Sequence, residues 1–461
     1  MKKKIFFLLC VITILSLLFV GCSDREEENN GEQPPVSTGV TVSFDTRMPG
    51  YNIAPLFLDG TDKEMPDTPF YAGYTFLGWY YDTEYTKIFT ITDGFTQDTT
   101  LYAKWRKNQA TIDPSQAPEK ETDVGGFVYA KKGDEYFVTG YTGGLPEITV
   151  PETYKDLPVS GVRSGAFNGS IVRKINLPAS VKTVEGGAFA GAAKLQSVGV
   201  ADNNSAYASA DGVLFNKEGT VLVCLPVMCI ATGYVLPAAV EEIAPYALHG
   251  CVITVHFPAD SQLKTITENA FTGFVGDVML PAGVIEIEKY AFSGANCKVT
   301  FPSSSNVTAL RNGAFDGFIG AKIVVPASVT EISGSAFYGC NAEIDLSLTG
   351  LTALGDNAFN GYLGRMLFIP ASVTSLGSGC FYRCTSVITF DERTDLRMVG
   401  EKSFSNFGGK VTFPASVKTV GKNAFYHALP SAEIVFSAKR SEITVDETAF
   451  DSSSANVIFQ Q

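Results

Sequence analysis

The sequence predicts an α+β repeat solenoid preceded by a small β-rich domain, and three observations carry this prediction. A pair of residues ending in Phe recurs at a nearly constant period through most of the chain. Most periods also contain a short alternating strand that a proline ends, although Ser347 and Asp391 replace this proline in two of them. A separate segment rich in aromatic residues, 40–106, precedes the repeats. Because a period of 20–50 residues is typical of stacked units, we expect each repeat to bury its apolar face only against its neighbours.

The first 21 residues have the pattern of an export signal. Lys2, Lys3 and Lys4 precede an apolar run of 16 residues from Ile5 to Val20, which is shorter than the roughly 20 residues of a membrane-spanning helix. The run ends in Gly21-Cys22, which resembles the lipobox of bacterial lipoproteins. The resemblance implies cleavage before Cys22, acylation of that residue and membrane association through this lipid anchor alone. An ordinary cleaved signal with an incidental cysteine is the alternative.

Residues 22–39 are predicted to form an acidic, solvated tether, because their composition cannot bury a core. Acidic residues directly after the lipidated cysteine resemble the signal that exports Bacteroidetes lipoproteins to the outer face of the outer membrane. We therefore expect a lipid-anchored protein of the cell outer membrane that is exposed at the surface; a plain acidic spacer is the alternative. The formal charge of -13 becomes -16 without residues 1–21, since three Lys and no acid are lost. This acidity argues against nucleic acid as a partner.

Residues 40–106 contain alternating strands, Gly-bearing turns and both tryptophans of the chain, Trp79 and Trp105. The motifs that start at Gly73-Tyr-Thr-Phe and Thr100-Leu-Tyr-Ala resemble the Listeria–Bacteroides repeat. This resemblance implies a small β-grasp-like module that acts as a spacer or adhesive unit. The aromatic residues are expected to form its core, and a carbohydrate platform is the alternative.

Residues 107–123 are predicted to be a linker and residues 124–461 the solenoid. We call the second residue of the recurring pair, usually Phe, the Phe slot of its repeat. Successive Phe slots are 21 to 25 residues apart, except for one interval of 59 residues before Leu248. The slots are Phe167, Phe189, Leu248, Phe271, Phe292, Phe315, Phe337, Phe359, Phe381, Phe404, Phe425 and Phe450.

One repeat illustrates the expected unit. Ile175 and Leu177 alternate as a strand does, and Pro178 ends the strand because it cannot donate to a central ladder. Ala188-Phe189 is expected on a short turn of helix that fills the interior. Pro326-Ala-Ser-Val-Thr-Glu-Ile followed by Ala336-Phe-Tyr-Gly-Cys resembles the BspA-like leucine-rich repeats, and the resemblance covers about residues 126–461. It implies short parallel strands on a concave face and a role in adhesion.

The long interval between Phe189 and Leu248 contains two apolar runs around a Gly-bearing turn, at residues 211–226. This pattern predicts an inserted hairpin. A structural elaboration and a ligand-contacting loop are both compatible with it.

No catalytic or metal-binding constellation is visible, so we expect no enzyme, no cofactor and no catalytic or metal-ligating residue. The three histidines are dispersed over the repeats. A carboxylate pair formed between distant repeats would be the basis of the least favoured alternative, a polysaccharide hydrolase. Seven cysteines lie beyond Cys22, and they are interpreted as small buried residues rather than as disulfide or redox pairs.

The remaining candidate for a functional site is an exposed surface. It is formed by the residue that lies between the two buried positions of each strand. Apolar residues at such sites tend to mark interaction surfaces. The candidate ligand contacts are His256, Met279, Val324, Asp345 and Phe368. The expected partner is a host protein or glycan bound by a monomer at the concave face. A structural envelope protein that binds a periplasmic or membrane partner is the alternative.

Overall fold

The computed structural model describes residues 40–48, 53–58, 69, 74–85, 87, 89, 95, 97–107, 120–228 and 233–460. The predicted signal peptide, Cys22 and the predicted tether lie outside these residues. Within them, no helix is long and apolar enough to span a bilayer.

The N-terminal module is a four-stranded mixed sheet. Its strands are β1 (Val40–Asp45), β2 (Ile53–Leu58), β3 (Tyr74–Tyr80) and β4 (Thr99–Lys107). They lie in the order β2-β1-β4-β3, and the central pair β1–β4 is parallel. Trp79 packs against Phe44 with ring centroids 5.0 Å apart, and the indole N–H of Trp105 donates to the carbonyl of Thr46 at 2.6 Å. The aromatic residues therefore form the core of this sheet, whereas the β-grasp-like fold remains a prediction.

The solenoid opens with a small sheet of its own. Its strands are β5 (Lys120–Thr122), β6 (Phe127–Lys132), β7 (Glu135–Tyr141), β9 (Thr153–Tyr154), β10 (Leu157–Val162) and β12 (Thr183–Val184). The antiparallel run β5-β6-β7 covers the start of the stack, and β7 pairs in parallel with β10. Tyr129 and Tyr154 stack with centroids 4.1 Å apart, so aromatic rings close this end of the core. β5 lies within the stretch that was predicted as linker.

Each repeat contributes two short strands, which form two series of parallel strands, and each series is divided into several hydrogen-bonded sheets. We call the two series the first and second ladders. The first ladder contains β8 (Glu147–Thr149), β11 (Lys174–Leu177), β13 (Ser197–Val200), β17 (Gly233–Val235), β19 (Thr254–His256), β21 (Val278–Met279), β23 (Val299–Thr300), β25 (Ile323–Val324), β27 (Ile344–Asp345), β29 (Met366–Ile369), β31 (Val387–Phe390), β33 (Lys410–Phe413), β35 (Glu433–Lys439) and β37 (Asn456–Gln460). The second ladder begins with β12 and continues with β18 (Glu242–Ile243), β20 (Thr265–Ile266), β22 (Glu286–Ile287), β24 (Ala309–Leu310), β26 (Glu331–Ile332), β28 (Ala353–Leu354), β30 (Ser375–Leu376), β32 (Met398–Val399), β34 (Thr419–Val420) and β36 (Thr444–Val445).

The α+β prediction is wrong, because the described part of the chain is almost entirely β. The segment around each Phe slot is a turn, and the described helical structure is one 3₁₀ turn, Arg440–Glu442. The N–H of Phe337 donates to the carbonyl of Ala358 in the next repeat at 2.9 Å, and that of Phe359 donates to Cys380 at 2.9 Å. Since these donors are used between repeats, they do not form the hydrogen bonds of a helix.

The inserted hairpin is confirmed, and it divides the core. Its strands are β15 (Val213–Asn216) and β16 (Val221–Cys224), and β14 (Tyr207–Ala210) pairs with its outer edge. Phe215 and Leu222 belong to the large core of the later repeats, whereas Leu214 and Cys224 belong to the core of the first repeats. The hairpin thus presents an apolar face to each side of the stack.

Candidate binding surface

The predicted ligand contacts lie on five strands of the first ladder between β19 and β29. We call the outward-facing residues of this ladder the outward row. Its described members after the hairpin are Val235, His256, Met279, Thr300, Val324, Asp345, Phe368, Thr389, Thr412, Val435 and Ile458. Parallel pairing places Met279 beside Thr300 and Phe368 beside Thr389. One face of the solenoid therefore presents one outward-facing side chain from each of these repeats.

Large apolar side chains of the outward row are in contact with solvent. Met279 is 65% exposed, Phe368 43% and Val324 39%. Their neighbours on the same strands, Val278, Ile323 and Leu367, are buried. The alternation of the strand directs these side chains outward, while the buried neighbours hold the backbone in place.

Two further apolar residues of this surface were missed by reasoning from the sequence. Val235 is 61% exposed and pairs with His256, but the irregular interval before Leu248 concealed its repeat. The motif Tyr234-Val-Leu-Pro237 has the strand-ending proline and could have revealed it. Met366 is 52% exposed and lies two residues before Phe368, so both project from the same side of β29.

Asp345, the charged member of the outward row, is held by neighbouring side chains. Lys322 contacts Glu343 and Asp345 of the next repeat, with N–O distances of 2.9 Å in both cases. Burial by itself would raise the pKa of Asp345, but hydrogen bonds from Lys322 and Ser347 outweigh burial and lower the pKa to about 2. Asp345 is consequently a fixed negative charge between Val324 and Phe368. His256 is exposed at its own position in the row.

Other reactive side chains in the described residues are placed as structural groups. Six described cysteines are buried, as their positions in the repeat predicted, and Cys229 lies outside the described part. Burial raises the pKa of Cys380, and it raises the pKa of Cys384 to about 11. Both thiols are therefore protonated at neutral pH, which does not suit a redox role. No cluster of metal-ligating side chains occurs among the described residues.

Two parallel ladders stacked around an internal row of phenylalanines define a leucine-rich-repeat solenoid. The chain belongs to the family of the BspA type leucine rich repeat region, whose pattern matches residues 140–210, 228–343, 308–430 and 387–460, more than half of the chain. Residues 41–104 match the Listeria–Bacteroides repeat domain. These two matches indicate a bacterial cell-surface protein with a protein-binding role.

Solved leucine-rich-repeat proteins are similar to this chain. A leucine-rich cell surface protein from Faecalibacterium prausnitzii is 21% identical over 75% of this chain and 96% of its own, with a TM-score of 0.38. A leucine-rich repeat protein from Bacteroides ovatus is 19% identical over 77% of this chain and 100% of its own, with a TM-score of 0.38. A leucine-rich repeat protein from Eubacterium ventriosum is 17% identical over 62% of this chain and 64% of its own, with a TM-score of 0.36. No curated protein matches the chain.

Proposed function

We propose that this protein is a surface lipoprotein that binds a protein or glycan of a host through the outward row of its first ladder. The observation that carries the proposal is the exposure of Met279, Val324, Met366 and Phe368 on strands whose inward-facing residues are buried. A rigid backbone loses little conformational entropy on binding, and burial of exposed apolar side chains releases water from apolar area.

The composition of the row supports a mixed interface. Apolar side chains alternate with threonines and with the fixed charge of Asp345, which is the combination of an apolar centre and polar surroundings found in protein interfaces. We expect Phe368 and Met366 to be the anchor of the interface, because they lie together on one strand and aromatic residues are enriched among the residues that dominate binding energy.

The anchor and orientation are part of the same proposal. Acylation of Cys22 would fix the chain to the outer membrane, and the acidic segment 22–39 would separate the folded part from the lipid surface. The module at 40–107 would then act as a spacer below the solenoid.

A pair of charge substitutions tests the binding surface. The double variant Met279→Asp/Phe368→Asp should lose binding to a panel of immobilised host matrix proteins and glycans that the unaltered chain retains, because both carboxylates would replace apolar contact area. The matched control is Ile285→Asp/Met398→Asp, since both residues are more than half exposed but lie outside the outward row. Equal binding by the two folded double variants would remove the outward row from the proposal.

Protease treatment of intact cells tests the orientation. The full chain should disappear from intact cells that are treated with protease and remain in untreated cells. A Cys22→Ser variant should be released from the membrane. Protection of the chain in intact cells would contradict surface display. It would instead favour a periplasmic partner in the cell envelope.

A further inference from the structure

A cavity of about 410 Å³ lies on the turn side of the repeats, formed by residues other than the outward row. Four successive repeats contribute its lining, and Leu77 of the N-terminal module contributes to one wall. The lining residues are Leu77, Lys289, Tyr290, Asn312, Asp316, Gly334, Ser335, Tyr338 and Asn360.

The repeat places these side chains shortly before or directly after the Phe slots. Tyr290, Asn312 and Ser335 precede the Phe slot of their repeats and have left-handed backbones, with φ of 57°, 52° and 63°. Asp316, Tyr338 and Asn360 each follow a Phe slot directly. Since backbone hydrogen bonds between the turns hold successive Phe slots together, the stack fixes the backbone positions from which the lining side chains extend.

Glycine makes room for one of the aromatic rings. A Cβ atom on Gly313 would lie 2.5 Å from the ring of Tyr290, so that ring can cross the turn only where the next repeat has no side chain. The φ of Gly313 is +68°, which also favours glycine. The position of the Tyr290 ring in the cavity therefore depends on a specific residue of the following repeat.

The chemistry of the lining suits an uncharged, hydroxyl-rich ligand. Two tyrosine rings offer apolar faces, while Asn312, Asn360 and Ser335 offer both donors and acceptors. Asp316 is 4% exposed, and its carboxylate disfavours an anionic ligand, as does the net charge of -13. The ammonium of Lys289 is already 2.9 Å from the carboxylate of Glu268, which offsets its charge.

We propose that this cavity binds a neutral saccharide, with a sugar ring against Tyr338 and sugar hydroxyls bonded to Asn312 and Asn360. A sugar ring has an apolar C–H face and a rim of hydroxyl groups, which matches tyrosine faces beside side-chain amides. The cavity volume lies within the range of about 300–1,000 Å³ that is typical of small-molecule sites. The site is independent of the proposed outward row, because the two share no residue.

Isothermal titration of the detergent-solubilised full chain with four neutral trisaccharides tests this site. The probes are maltotriose, cellotriose, chitotriose and mannotriose, and the anionic trisaccharide trigalacturonate is the charge control. At least one neutral trisaccharide should bind, and Tyr338→Ala and Asn360→Ala should each weaken its binding by about tenfold, which corresponds to about 1.4 kcal/mol. Trigalacturonate should bind more weakly than the neutral sugar.

Tyr382→Ala is the matched control, because Tyr382 also follows a Phe slot directly but does not line the cavity. It should bind the neutral trisaccharide as the unaltered chain does. The proposal is overturned if no neutral trisaccharide binds, if trigalacturonate binds more tightly, or if folded Tyr338→Ala and Asn360→Ala variants bind normally.

Discussion

The rings of Phe337 and Phe359, in consecutive repeats, lie nearly parallel, with centroids 5.1 Å apart and planes 14° from each other. The same contact recurs from Phe271 to Phe450, with centroid distances from 4.7 to 5.8 Å. The intermediate pairs are Phe292–Phe315, Phe315–Phe337, Phe359–Phe381, Phe381–Phe404, Phe404–Phe425 and Phe425–Phe450. This continuous row of rings joins each repeat to the next through the centre of the solenoid.

Replacement of one interior ring should destabilise the stack. Phe359 is completely buried, so Phe359→Ala should lower the free energy of unfolding by about 3–5 kcal/mol through lost burial and the cavity left behind. Urea denaturation followed by circular dichroism measures the change. Phe368→Ala is the control, since that ring is 43% exposed and should shift the midpoint far less. Equal shifts in the two variants would contradict the assigned burial.

The second residue after each Phe slot has a left-handed backbone, and the cost of this backbone for a residue other than glycine can be measured at a position without a steric clash. Gly339 has a φ of +60°, and a Cβ atom there would meet nothing within 4 Å. Gly339→Ala should therefore cost about 1–2 kcal/mol, because an L-residue is strained in this backbone region. The measurement is the change in the urea midpoint.

Gly350→Ala provides the matched control for Gly339→Ala. Its Cβ atom would also meet nothing within 4 Å, but its backbone is not left-handed. This variant should be neutral or stabilised by about 0.4–1 kcal/mol, because alanine restricts the unfolded chain. A similar loss of stability in both variants would show that backbone strain is not the cause.

Asn204 should be a structural amide rather than a ligand contact. Its side-chain N–H groups donate to the carbonyls of Pro178 and Val181 at 2.8 and 2.9 Å, and its Oδ1 accepts from the N–H groups of Ala206 and Tyr207 at 2.8 and 2.9 Å. Asn204→Ala should cost at least about 1–3 kcal/mol, because buried partners lose their hydrogen bonds.

Hydrogen exchange measures this loss locally. The N–H groups of Ala206 and Tyr207 should exchange faster in Asn204→Ala, while exchange in the later repeats stays unchanged. Asn203→Ala is the control, since Asn203 is exposed. Unaltered protection of these two N–H groups would contradict the assigned role.

The charge of Asp345 should persist to low pH. Its pKa is lowered to about 2, so the stabilisation from this carboxylate is fully present above its ordinary value of 3.8 and is lost as the pH falls from 3.8 through 2. Titration by nuclear magnetic resonance measures the pKa. Lys322→Ala should raise it, because the ammonium 2.9 Å away is removed. A pKa near 3.8 in the unaltered chain would contradict the geometry.

The repeating features could be predicted from the sequence because each depends on a local pattern of residues. Pro178 directly follows β11, as the strand-ending role of proline predicts, and most Phe slots are completely buried. The hairpin at 213–224 was also visible from its two apolar runs and Gly219. Its division of the core was not visible, because Leu214 and Phe215 read as one apolar run although they face different cores.

The turn around each Phe slot was predicted as helix and is not. Short helices and turns have similar local patterns, and the difference depends on where the backbone N–H groups donate. That of Phe359 donates to Cys380 in the next repeat, a partner that no local pattern reveals.

The sequence by itself determined the repeat, its period, the buried Phe slots and the alternation that directs Met279 and Phe368 outward. Those features follow from the order of apolar and polar residues along one strand. Only the tertiary structure decided the all-β turns, the division of the core by the hairpin, and the cavity that brings Tyr290 and Tyr338 together. Each of these depends on contacts between repeats, and the distances and hydrogen bonds between stacked units exist only after the chain has folded.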